Sequence, residues 1–153
     1  MADMKDIITT NIEQIIATGE TFKIVVTGYS MLPMLGFGRD TIVVRRTMPN
    51  EDIVGRIAMF RSERGHIVVH RVLRVDGAGV VTLRGYGNIA QHERVRREDI
   101  IGVVESVIRE SGREVSCLSR WWRVRERLWI GLPRIVRQYA LAVIRRVANL
   151  KRG

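Results

Sequence analysis

A chain of 153 residues, 46% of them hydrophobic, is long enough for one domain with a modest core and too apolar to be disordered throughout. Its single cysteine, Cys117, excludes an intrachain disulfide and a cysteine-based metal cluster, and fits a reducing compartment. Net charge is +10, yet from Arg113 onward 11 Lys and Arg stand against two acids, Glu114 and Glu126, so +9 lies there and only about +1 before it.

Residues 4–18 predict a short amphipathic helix, because Met4, Ile8, Ile12 and Ile15 recur at helical spacing and Gly19 is placed to end it. The first 20 residues do not read as a secretion signal: Asp3, Asp6 and Glu13 interrupt them, and no apolar run or small-residue cleavage site follows. From Phe22 to about Cys117, short β-branched runs alternate with glycine-bearing turns. Strands are predicted at 22–27, 41–45, 56–61, 66–75, 80–84, 101–108 and 114–118. The turns between them fall at 36–38, 64–65, 76–79 and 111–112, and the run at 76–79 between two Val-rich segments predicts a hairpin.

Residues 119–150 switch to helical period. Trp121, Val124, Leu128 and Leu132 share one face, with Arg120, Arg123 and Arg127 on another. Pro133 breaks the run and opens a second helix. There Val136, Tyr139, Val143, Val147 and Leu150 share a face opposite Arg134, Arg137, Arg145 and Arg152. The same arginines and Pro133 interrupt the longest apolar stretch, 128–150, so a membrane-spanning helix is not expected. The expected organisation is an N-terminal helix (1–20), a β domain (21–118) and a basic helical tail (119–153).

The chemistry-bearing stretch is Thr27-Gly28-Tyr29-Ser30-Met31-Leu32-Pro33. A serine between a flexible glycine and a rigid proline sits where a strand turns sharply, which holds its hydroxyl outside the sheet. A serine hydroxyl is a weak nucleophile and needs a base within hydrogen-bond reach, although most serines in such places only form turns. His66, His70 and His92 are the only histidines. A three-histidine metal site requires 67–69 to be a regular strand and is not expected; no cofactor is expected either.

In order along the chain, Ser30-Met31-x-Pro33, Gly38-x-Asp40, Asp52-Ile53-Val54-Gly55, Val69-His70-Arg71-Val72, Gly85-Tyr86-Gly87-Asn88 and Glu98-Asp99-Ile100-Ile101-Gly102 resemble the type I signal peptidase family. The resemblance covers roughly residues 22–108. It implies a mainly β, coiled-sheet core, and a serine endopeptidase that cleaves a peptide or leader sequence after small residues. The histidine branch of that family is the better likeness, since Lys5 and Lys23 lie outside the strand where a lysine base is expected. Ser30 is then the nucleophile and His70, with an ordinary pKa near 6.5, its general base. Glu93 is the candidate orienting acid. The Ser30 backbone N–H, Thr27, Gly28, Met31 and Pro33 are candidates for the oxyanion hole and substrate contacts.

Three departures from the family pattern bear on activity: Tyr86 stands where an aspartate is usual, His92 falls where a second acid is expected, with Glu93 adjacent, and Gly28 stands where a serine often supplies an oxyanion hydroxyl. One rival is therefore a catalytically degenerate relative that binds peptides in the same cleft. A second is a regulator resembling self-cleaving repressors, which use a serine–lysine pair and carry a DNA-binding domain that 20 N-terminal residues cannot supply. The expected location is the cytoplasm, peripheral at the inner membrane face. The tail has three readings: docking on an anionic membrane or a protein partner, packing on the body, or, least favoured for want of a fold signature, nucleic-acid binding.

Overall fold

The computed structural model describes residues 4–36 and 38–151, so the turn expected at 36–38 lies partly outside the described residues, as does Arg152. It is mainly β. Helix α1 (Met4–Ala17) leads into strands β1 (Phe22–Val25), β2 (Thr41–Arg45), β3 (Ile57–Arg61), β4 (Ile67–Val75), β5 (Val80–Arg84), β6 (Glu93–Arg96), β7 (Ile100–Ile108) and β8 (Glu114–Ser116). A single 3-10 turn, Arg97–Asp99, precedes β7, and helices α2 (Arg120–Gly131) and α3 (Arg134–Leu150) close the chain.

All pairings are antiparallel, in the order β1-β2-β7-β3-β4-β5-β6, with β8 against β7. Register shifts at Val43/Val44, Met59/Phe60 and Val72/Arg74 add local twist, and the sheet curls into a half-barrel. Curling buries both faces of the middle strands. Along β3, Ile57 and Met59 enter one apolar cluster, while Ala58 and Phe60 enter the other. The first cluster also receives Ile12 and Ile16 of α1, Trp122 and Trp129 of α2 and Leu141 of α3.

The turns predicted at 64–65, 76–79 and 111–112 form as hairpins. Asp76 Oδ1 accepts from the N–H of Ala78 and of Val80, both at 2.9 Å, pinning the β4–β5 turn. The strand β6 was not expected. In α1 the buried pair is Ile12 and Ile16, with Ile15 only half-buried; Met4 and Ile8 lie outside the described side chains. Ser119 caps α2 by accepting from Trp122 N–H at 3.2 Å.

In the tail, α2 packs on the body through Trp122, Glu126 and Trp129, and α3 through Leu141. The apolar stripes expected from the sequence (Trp121, Val124, Leu128 and Leu132; Val136, Tyr139, Val143, Val147 and Leu150) face outward instead. No helix among the described residues is long and apolar enough to cross a membrane.

Candidate active site

Strand β1 ends where Gly28 takes φ +89°, a left-handed conformation that strains any other residue. A Cβ there would meet open space, so the backbone turn, not crowding, selects glycine. The chain then coils tightly: Leu32 N–H donates to Tyr29 O at 3.2 Å and Leu35 N–H to Met31 O at 3.0 Å, with a cis bond between Leu32 and Pro33. Met31, Leu32, Met34 and Leu35 all point into the core, leaving Ser30 half-buried at its rim.

Buried Asp40 holds the far end of this coil. It accepts from Gly36 N–H at 2.7 Å and from Arg109 Nη1 at 2.5 Å. Arg109 Nη1 also donates to Met34 O at 3.0 Å, and its guanidinium lies 5.7 Å over the Trp122 ring. The Ser30 turn is thus tied to β7 and to α2.

The segment Gly85-Tyr86-Gly87, directly after β5, clamps the other side. Gly87 N–H donates to the Ser30 carbonyl at 2.8 Å. A Cβ on Gly85 would stand 2.2 Å from that same oxygen and 3.2 Å from His70 Cδ2, so one point touches both members of the expected Ser/His pair. Only glycine lets the backbones approach this closely. His70 projects from the middle of β4 and is 4% exposed.

Burial lowers the His70 pKa from 6.5 to about 4, so the imidazole is neutral near pH 7 and able to accept a proton. Its ring packs 5.8 Å from that of Phe60. Nδ1 is buried without a hydrogen-bond partner, and Glu93 Oε1 at the start of β6 stands 4.0 Å from it. That gap is too long for a hydrogen bond, although catalytic hydrogen bonds often tighten only when substrate binds. Burial and the nearby Glu63 raise the Glu93 pKa above the ordinary carboxylate value.

Tyr86 is bound away from His70. Its hydroxyl donates to Glu126 Oε1 at 2.9 Å, the same oxygen that receives Arg71 Nε, and Trp129 Nε1 donates to the Tyr86 carbonyl at 3.0 Å. Burial, followed by the Glu126 charge, pushes the Tyr86 phenol well above its usual range. Asn149 near the end of α3 accepts from the Tyr29 hydroxyl at 3.1 Å. Both tail helices therefore brace the loops on either side of Ser30.

An apolar cleft of about 220 Å³ opens beside Ser30. Its walls are residues 24–28 on one side and Ile67, Val68 and Val69 on the other, with Met31, Ile42 and Met59 between them. Strand β1 pairs only with β2, and β4 pairs with β5 only from Arg71 onward, so among the described residues both walls present a strand edge without a strand partner. Such edges can take an added extended strand.

Of the residues expected to act, Thr27, Gly28, Ser30 and Met31 line one cleft, while His70 and Glu93 share an adjoining hollow with Asn88 and His92. Pro33 lines neither; it sits in the coil behind the serine. His66 and His92 are exposed, and no cluster of three His, Cys, Asp or Glu among the described residues could hold a metal ion. Sequence reasoning missed the structural parts of Gly85, Gly87, Arg71, Glu126 and Asn149. The glycines flanking Tyr86 at a strand end were the available sign. Compared with models of known protein families and with curated proteins, the chain matches none.

Proposed function

We propose that the protein is a serine endopeptidase in which Ser30 attacks a peptide carbonyl and His70 carries the proton. The observation that supports this best is the double contact at Gly85, which sets the Ser30 backbone and the His70 ring against one point, with Ser30 also lining a cleft that has two open strand edges. A substrate peptide lies extended in that cleft, hydrogen-bonded to one or both edges. The small apolar volume suits small side chains on the acyl side of the cut bond.

In the first step the Ser30 Oγ–carbonyl bond forms as its proton passes to His70, and the carbonyl oxygen becomes an oxyanion facing the Ser30 N–H. His70 then protonates the departing amine, leaving an acyl ester on Ser30. Water attacks that ester, giving its proton to His70, which returns it to Ser30 Oγ as the acid product leaves. Glu93 closes on Nδ1 as the imidazolium forms, offsetting the cost of a buried positive charge. The lone, half-buried Cys117 fits a cytoplasmic enzyme, which cell fractionation tests directly.

A diverse peptide pool, digested by wild type, Ser30→Ala and His70→Ala and read by mass spectrometry, tests the proposal. Products from wild type alone support it. Equal products from wild type and Ser30→Ala overturn it. The unpartnered His70 Nδ1 and the commitment of Tyr86 to Glu126 favour a second reading, a peptide-binding relative. That reading expects no cleavage by any of the three, and peptide binding that survives Ser30→Ala.

A further inference from the structure

Helices α2 and α3 leave a continuous run of large apolar side chains in solvent. Trp121 is 78% exposed, Leu128 67%, Ile135 79% and Tyr139 76%, with Val143 and Leu150 continuing the stripe. Within each helix the exposed apolar residues recur three, four or seven apart (121, 124 and 128; 135, 139, 143 and 150), whereas the side facing the body is separately filled by Trp122, Glu126, Trp129 and Leu141. The stripe is thus a second apolar face, not an unfinished core.

Charge identifies what covers it. Glu126 is the one acid on the described parts of these helices, and it is buried against Arg71 and Tyr86. Exposed Arg123 and Arg127 flank the α2 stripe on one side and Arg125 on the other; Arg146 lies within the α3 stripe, between Val143 and Leu150. A second copy of the chain would bring two such cationic faces together, and the body before Arg113 is nearly balanced in charge, at about +1. An apolar stripe with Trp and Tyr, bordered by arginines, matches the boundary between anionic headgroups and acyl chains.

We infer that α2 and α3 seat the protein on an anionic lipid surface, with the stripe inserted and the arginines on the headgroups. Asn149 of α3 holds Tyr29, so the seated helix keeps the neighbouring Ser30 close to the bilayer. The inference rests on the helices alone and stands whether or not Ser30 is a nucleophile.

The test is co-sedimentation of the full chain with vesicles of phosphatidylcholine alone or with about one third phosphatidylglycerol, at low and high salt. Binding to the anionic vesicles, weakened by salt and nearly absent from the neutral ones, is expected, with a blue shift of tryptophan emission. Leu128→Glu/Tyr139→Glu should bind about tenfold more weakly while melting at the wild-type temperature, because both side chains are already in solvent. Trp121→Phe should bind but lose the blue shift, since Trp122 and Trp129 are buried before binding. Wild type remaining unbound with both vesicles overturns the inference, as does undiminished binding by the double variant. A concentration-dependent dimer, dissolved by the double variant and accompanied by no vesicle binding, would assign the face to a second copy instead.

Discussion

The Gly87 N–H holds the Ser30 carbonyl at 2.8 Å, and Gly85 next to it leaves no room for a side chain against the same oxygen. The expected nucleophile is therefore positioned through its backbone, which leaves its hydroxyl outside this set of contacts.

Gly85→Ala should be the most damaging single methyl in the protein. The added carbon meets backbone, which cannot rotate away, so the turn must shift. A loss of about 1–3 kcal/mol is expected together with loss of cleavage. A thermal melt beside the peptide assay checks both; wild-type melting and turnover would contradict the contact.

The acidic limb of kcat/KM should report His70. With burial as its only perturbation the limb falls near pH 4, well below the ordinary 6.5. If Glu93 closes on Nδ1, the limb moves upward, and Glu93→Gln returns it towards pH 4 with a drop in kcat. A limb that Glu93→Gln does not move would remove Glu93 from the mechanism.

Stability should also fall with acid through His70. The folded state disfavours the charged ring, so between pH 6.5 and about 4 the unfolded chain binds the proton first and unfolding becomes easier as pH drops. Above pH 6.5 the contribution is constant. Fully developed, the loss is on the order of 3 kcal/mol. Urea titrations of wild type and His70→Asn across that range check it: the variant should show a shallower pH dependence.

Tyr86, Arg71 and Glu126 should behave as one unit. Tyr86→Phe removes one neutral donor and should cost about 1 kcal/mol. Glu126→Ala strands Arg71 and the phenol together and should cost about 2–4 kcal/mol. The double variant should cost less than the two losses combined, because they share one carboxylate oxygen. Additive losses would show that the three side chains are independent.

Trp129→Ala should cost about 3–5 kcal/mol by emptying a buried site and freeing the Tyr86 carbonyl. Leu128→Glu, its neighbour in sequence, should leave the melting temperature unchanged. Similar losses for both would mean that α2 packs on a different face.

The strands were legible where β-branched residues cluster: β2 and β5 match their expected bounds, and β3, β4 and β7 shift by a single residue. β6 was missed because Glu93-Arg94-Val95-Arg96 offers one apolar side chain among charges, the usual dress of an edge strand. Both tail helices and the Pro133 break could be read from periodicity, but the packed face could not. Two apolar stripes compete in the tail, and the buried one includes a glutamate whose partners, Arg71 and Tyr86, lie far away in sequence. Ser30 and His70 stood out by residue type and resemblance. What brings them together, two glycines touching a backbone 55 or more residues away, is a long-range packing condition that no local pattern encodes.

The braces on the Ser30 turn come from residues 109, 122, 129 and 149, all made long after the serine itself. During synthesis the sheet can pair as its strands emerge and the Gly87 and Asp40 contacts can form, yet the tail's share of the bracing waits until α3 is free to fold back. The chain thus carries its own timing: a nascent copy holds Ser30 and His70 with only part of the contacts that fix their turns, and the set is complete with the final helix.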